Sequence, residues 1–138
     1  MRGYGMYPIG FVRSGIKMPQ PSEYFRRTTS VVEVEETYRD ALEGIGKGQS
    51  ILVLFVFHKS KGFSMKVHPR GDVNHPVRGL FATCSPARVN PVGVTPVVVL
   101  KVDGCRLTVK GLDAIDGTPV IDIKPFVWKH LEEWEGSR

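Results

Sequence analysis

Val97-Val-Val-Leu-Lys-Val-Asp-Gly-Cys-Arg-Leu-Thr-Val109 reads as two β-strands joined by a tight turn. Both arms are rich in β-branched residues, which suit a pleated, half-buried surface. Asp103-Gly104 between them is a strong hairpin signal, because a two-residue turn needs positive φ and glycine adopts it without strain. Upstream, Ile51-Leu-Val-Leu-Phe-Val-Phe57 is an unbroken apolar run, read as a strand buried on both faces. Shorter strands are expected over 8–14, 30–34, 64–68, 79–83 and 121–123.

Helices are few. Val34, Tyr38, Ala41, Leu42 and Ile45 recur at helical spacing, and Gly44, Gly46 and Gly48 then stop the pattern. This predicts a helix over 35–43. Trp128, Leu131 and Trp134 predict a short C-terminal helix. Residues 15–27, with Pro19 and Pro21, read as loop. Strands dominate and do not alternate regularly with helices, which argues against a doubly wound α/β fold. No GxGxxG follows a strand, as a Rossmann-type cofactor site would need. The pattern is that of a mainly β protein, a small barrel or a sandwich, with one or two short helices.

Two stretches are neither ordinary core nor ordinary linker. They are Gly79-Leu-Phe-Ala-Thr-Cys-Ser-Pro-Ala-Arg-Val-Asn-Pro-Val-Gly93 and Gly111-Leu-Asp-Ala-Ile-Asp-Gly-Thr-Pro-Val-Ile-Asp-Ile-Lys-Pro125. Each sets Pro, Gly and polar residues between apolar ones. Such residues fix backbone direction and place polar groups at strand ends. Two such loops on a β scaffold are candidate walls of a pocket.

Both stretches resemble segments of the TrmO-like tRNA methyltransferases, GVFATRSPxRPNPIG and GLDxxDGTPVxDIKPY. Pro8-Ile-Gly-Phe-Val-Arg-Ser14 and Leu54-Phe-Val-Phe-His58 match further segments, in the same order. The resemblance implies a β-barrel, here one domain over 1–138, that works as a homodimer. It implies a cytoplasmic enzyme that uses S-adenosylmethionine to methylate N6 of threonylcarbamoyladenosine beside a tRNA anticodon.

Cofactor contacts carry over segment by segment. The family's Arg-Gln-Pro loop falls on Pro19, Gln20 and Pro21, with Pro19 where the family has Arg. The pair after His58 is Lys59 and Ser60, and His58 itself is a strand-end residue lining the pocket. The FATR region gives Cys84, with Val94 a little beyond. The TPVxDIKP segment gives Val120, Ile121, Asp122 and Ile123. Arg88, Asn90 and Lys124 are expected on the substrate side, and Lys66 and Arg70 on the tRNA backbone. Cys84 departs most sharply, since Cys replaces neither the charge nor the planar donor fork of the family's Arg. Val89 stands where the family has Pro.

Composition agrees with such a partner without proving it. The 138 residues carry 19 Lys and Arg against 14 Asp and Glu, a net charge of +5. A basic balance favours polyanions. Lys59, Lys61, Lys66, His68, Arg70 and Arg78 form the densest basic stretch, with Phe63 among them. Charge-rich loops are usually just solvated; the resemblance tilts this one towards RNA phosphates and a loop base entering the pocket.

Other chemistries find little support. Two cysteines without a CxxC make no disulfide framework and suit a reducing cytosol. No apolar run approaches bilayer length, and the start lacks the apolar region of a signal peptide. His58, His68, His75 and His130 have no standard metal spacing. Ser85 lacks a GxSxG context. Asp116-Gly117 reads as a turn, and Asp122 and Lys124 share a strand face. No residue identifies itself as a general base, and the carbamoyl group beside N6 acidifies its proton. Three functions remain in view: the tRNA methyltransferase, a binding barrel that has lost transfer, and a methyltransferase for another acceptor.

Overall fold

The computed structural model describes residues 2–126. Six strands close into an antiparallel barrel: β1 (Gly10–Arg13), β2 (Thr29–Val34), β3 (Ser50–Val56), β6 (Val92–Asp103), β7 (Arg106–Lys110) and β8 (Pro119–Pro125). Around the barrel the order is β1-β2-β7-β6-β3-β8. β4 (Lys66–Val67) and β5 (Arg78–Gly79) pair separately as a small ribbon. Closure leaves no barrel strand with an open edge.

The core follows from strand alternation. Val12, Val32, Val53, Val99, Leu107, Val109 and Val120 are all fully buried. In β3 only Ile51, Val53 and Phe55 point inward, while Leu52, Leu54 and Val56 are half-buried. The expectation of a strand buried on both faces is thus corrected. A barrel six strands around has one inside, and nothing among the described residues packs over the outer face of β3 enough to bury it.

Two bulges bend the sheet. Leu54 pairs with Asp122 but Phe55 with Val120, so Ile121 is the extra residue in β8. Leu100 plays the same part in β6 against β7. An extra residue increases local twist, which closure of a small barrel requires. The hairpin forms as read but one residue later. Asp103 pairs with Arg106, leaving Gly104-Cys105 as the loop, with Gly104 at φ 59°.

Other elements differ from expectation. The stretch 35–43 forms 3₁₀ turns over Glu36–Leu42, not an α-helix. Leu42 is its only buried residue, so a helical apolar stripe has nothing to select it. Residues 15–27 contain one α turn, α1 (Ser22–Phe25), which drives Phe25 into the interior. After β5, Leu80–Ala82 is a 3₁₀ turn and not strand. The helix expected around Trp128, Leu131 and Trp134 lies outside the described residues. No described helix is long and apolar enough to cross a membrane.

One carboxylate ties the loop before β8 to the chain after β1. Asp116 accepts from the Ser14 amide at 3.0 Å and from Lys17 Nζ at 2.6 Å. Backbone bonds run alongside, Asp116 N to Ile16 O at 2.8 Å and Gly117 N to Val12 O at 2.8 Å. The turn read at Asp116-Gly117 is present, with Gly117 at φ 80°. The tie holds the path that leads on to Pro19 and Gln20.

Lys17 first, and the Ser14 amide second, hold the Asp116 carboxyl below the ordinary aspartate range. A lowered folded-state pKa stabilises the fold above the unfolded value, and the contribution is lost as pH falls through the lowered one. Asp116→Asn should therefore lower the urea midpoint at neutral pH, and the gap to wild type should close in strong acid. Equal gaps at both pH values would contradict the tie.

Candidate functional site

At the end of the barrel where β3 finishes lies an open cavity of about 260 Å³. Its floor is aromatic: Phe25 from α1, Phe55 on β3 and Phe57 just beyond it. Phe55 and Phe57 meet edge to face, centroids 5.3 Å apart and planes at 77°. Gly93, opposite Phe55 on β6, makes this possible. A Cβ at Gly93 would sit 2.5 Å from the Phe55 ring.

Three separate segments build the rim. Pro19, Gln20 and Ser22 come from the segment held by Asp116. His58, Lys59 and Ser60 continue β3, and Ser60 N donates to Phe57 O at 3.1 Å. Cys84 and Pro86 come from the loop after β5. So Pro19, Gln20, His58, Lys59, Ser60 and Cys84, each singled out from the sequence, line one cavity.

The fourth wall belongs to the stretch 111–125 expected to form one, but its lining residues are not those the resemblance pointed to. Asp113, Ala114, Ile115 and Thr118 line the cavity from the loop before β8. Asp113 is the one carboxylate of the lining among the described residues, and Ser22 Oγ donates to its Oδ2 at 3.0 Å. Burial pushes the Asp113 carboxyl above its ordinary range; the Ser22 hydrogen bond opposes this and the Glu23 charge adds to it. Thr118 is buried and donates Oγ1 to Ile115 O at 2.7 Å, closing the loop on itself. A signal was available. Asp113 sits between Leu112 and Ala114, apolar neighbours that turn out to be buried.

The remaining expected residues lie elsewhere. Pro21 caps α1, its carbonyl accepting from Tyr24 N at 2.9 Å. Val94 is exposed on the outer face of β6. Val120 is in the barrel core, and its carbonyl accepts from Ile9 N at 2.7 Å. Ile121 is the bulge residue. Asp122 accepts from the Ile123 amide at 2.9 Å and pairs with Lys124 at 2.9 Å, a charge pair along one strand face. Ile123 and Lys124 border a different hollow, of about 540 Å³, at the Ser50 end of β3.

Arg88 is held within its own loop. Its Nη1 lies 2.7 Å from Thr83 O, 3.3 Å from Ser85 O and 3.4 Å from Leu80 O. Asn90 is exposed, its carbonyl taking the Val92 amide at 2.7 Å. Lys66 is exposed on β4, and Arg70 pairs with Glu23 at 3.2 Å. His68 Nδ1 lies 2.9 Å from His75 O, and His75 Nδ1 lies 2.8 Å from Asp72 Oδ2.

The arrangement can hold a flat apolar group over Phe25, Phe55 and Phe57, and polar or charged groups at Gln20, Lys59, Ser60 and Asp113. A mixed ligand with an aromatic part and both charges fits such a lining.

Known proteins share this chain's pattern. An S-adenosyl-L-methionine-binding protein of Archaeoglobus fulgidus is 38% identical over 122 residues, covering 86% of this chain and 86% of that protein. A tRNA (adenine(37)-N6)-methyltransferase of Mus musculus is 40% identical over 130 residues, covering 87% of this chain but only 30% of that protein. The crystal structure of TrmO from Pseudomonas aeruginosa superposes with a TM-score of 0.74 at 28% identity, covering 94% of this chain. This chain spans 58% of that structure's chain. The model of the tRNA-methyltransferase O N-terminal domain matches residues 11–130. With that match running through the barrel strands and all four cavity walls, the chain belongs to the tRNA-methyltransferase O N-terminal domain family.

Proposed function

We propose that this domain binds S-adenosylmethionine in the cavity and transfers its methyl group to N6 of an adenosine in a tRNA anticodon loop. The observation that carries the reading is the meeting of Gln20, Lys59, Ser60 and Cys84, from three distant segments, over an aromatic floor. The names of the relatives support the cofactor, and the mouse protein's name supports the acceptor.

The lining suits the cofactor's parts. The aromatic floor takes the adenine, Lys59 the carboxylate and Asp113 a cationic group, while Gln20 and Ser60 offer side-chain hydrogen bonds. The cofactor supplies an electrophilic methyl on a sulfonium. The protein's task is to fix that methyl in line with the incoming nitrogen and keep the floor dry, which alone removes much of the barrier. No lining residue is needed as a strong base, because the carbamoyl neighbour already acidifies the N6 proton.

Association of two copies is part of this reading. Val92, Val94 and Val98 are exposed on the outer face of β6. Val94 pairs with Leu54, and Val92 with Val56, so these side chains share one outward apolar surface. A homodimer would cover it. A second reading, a cofactor-binding barrel without transfer, draws on Cys84, which lines the cavity and takes the place of Arg in the resembled segment pattern.

Calorimetric titration with S-adenosylmethionine tests the site. Asp113→Asn should weaken binding about tenfold, the loss of one charge-assisted hydrogen bond of roughly 1.5 kcal/mol. Wild-type affinity should fall on acidification, beginning above the ordinary aspartate range, because protonation removes the anion. The Asn variant should be flat there. Equal profiles would remove Asp113 from the site.

Light scattering at micromolar concentration should give the dimer mass, and Val94→Lys should shift it to monomer. A wild-type monomer would end the association reading.

Radiolabelled methyl transfer to tRNA carrying threonylcarbamoyladenosine tests the reaction. Cys84→Arg should raise transfer by roughly tenfold, the effect of one regained charge-assisted contact. No transfer from either protein, with cofactor bound, would establish the binding barrel instead.

A further inference from the structure

Phe81 is the most conspicuous side chain left without a role. It is 81% exposed, yet it stands on a tightly determined turn. Leu80 beside it is buried, and its amide donates to Met65 O at 2.8 Å. The Leu80 carbonyl accepts from the Thr83 amide at 3.1 Å and from Thr83 Oγ1 at 2.8 Å. Arg88, gathered by the carbonyls of this loop, lies over the Phe81 ring, its Cζ 6.0 Å from the centroid. That distance is within cation–π range. One ring face thus has a fixed cation against it, and the ring remains largely open to solvent.

Scattered exposed apolar residues need no explanation. This one differs in being pre-positioned, so little conformational entropy remains to be lost when something stacks on it. The chain that leads to it is cationic. From residue 59 to 81 the chain carries five Lys and Arg against one carboxylate, Asp72. Lys59, Lys61, Lys66 and Arg78 make no ion pair among the described residues. Lys66 and Arg78 lie on the β4–β5 ribbon, whose pairing runs straight into the Phe81 turn. The same loop then supplies Cys84 and Pro86 to the cavity rim. An aromatic face beside unpaired cations is the recognition chemistry of single-stranded nucleic acid: bases stack and phosphates pair.

We infer that Phe81 is a stacking platform for an unpaired nucleobase of the substrate RNA, with Lys66 and Arg78 meeting the flanking phosphates. The inference rests on the tRNA reading above and adds the residue that grips the loop outside the cavity. Phe81 is a positioning residue; it takes no part in the transfer.

The test is fluorescence anisotropy with a labelled anticodon stem-loop RNA hairpin, titrated at several salt concentrations. Phe81→Ala should weaken binding about fivefold to a hundredfold, the range expected for one stacked base. Its log–log salt slope should equal that of wild type, because no charge is removed. Phe81→Trp keeps a π-face and should bind at least as tightly as wild type. Affinity for S-adenosylmethionine, measured by calorimetry, should be unchanged in both variants.

Phe81→Ala binding the hairpin like wild type would overturn the platform while leaving the tRNA reading intact. Phe81→Trp binding as weakly as Phe81→Ala would also overturn it. So would a parallel loss of cofactor affinity, since the turn, not the ring, would then be what the substitution removed. Failure of wild type to bind the hairpin even at low salt would end both the tRNA reading and this one.

Discussion

The absence of a side chain at Gly93 is the constraint on which the site depends. β6 passes β3 with Gly93 directly opposite Phe55. Any Cβ there would collide with the Phe55 and Phe57 rings. A packed interior transmits such a collision, because few voids exist to absorb it. With glycine in place, Phe55 fills the barrel end and Phe57 leans on it edge to face. The pair seals the core beneath and offers an apolar floor above. The missing side chain thus leaves the space in which the two rings meet and form the cavity floor.

The walls stand because short polar ties replace long secondary structure. Between β1 and β2, and between β7 and β8, the chain has no strand to hold it. Asp116 joins those two loops through Ser14 and Lys17. Ser22 and Asp113 join them again, closer to the cavity. In the third loop, Arg88 collects carbonyls that a turn rich in proline leaves unsatisfied. Buried or half-buried backbone acceptors without partners would be costly. The charged residues of these loops thus do two jobs: Asp116 and Arg88 shape the walls, and Asp113 and Lys59 face the space between them.

Much of this was legible in the sequence, for reasons that differ by residue. Asp103-Gly104 announced a hairpin because glycine at positive φ has few other uses between valine runs. Its exact loop was displaced by one residue, since the strand pairing, not the dipeptide, decides where the ladder ends. Ile51 to Phe57 announced a strand but not its exposure, because an apolar run does not say whether its second face is covered. The 35–43 stretch announced a helix from spacing alone, and with only Leu42 buried the chain settled into 3₁₀ turns. At the site, Gln20, Lys59, Ser60 and Cys84 were found through segment resemblance. Val94 and the Val120 to Ile123 strand were expected beside them and lie outside the cavity. Alternation and the β8 bulge decide which way those side chains face, and neither can be read from a motif. Asp113 and the aromatic floor were missed because turn-forming and core-forming residues look the same whether or not a ligand meets them.

The placement of Cys84 relative to Arg88 bears on what the departures from the family pattern mean. Arg88 turns its Nη1 onto three carbonyls of its own loop and lies over the Phe81 ring. Cys84, not Arg88, lines the cavity, and among the described residues Lys59 is the lining's one Lys or Arg. Among the described residues, the charges lining the cavity are that lysine and Asp113, a nearly neutral balance over an aromatic floor. Such a lining favours a zwitterionic, part-aromatic ligand over a polyanion. On the proposed tRNA reading, the phosphates would be met outside, by the cations of the β4–β5 ribbon, and a base alone would enter. On that reading cofactor and polymer would be separated by charge as well as by position, with the loop from Leu80 to Arg88 between the two surfaces.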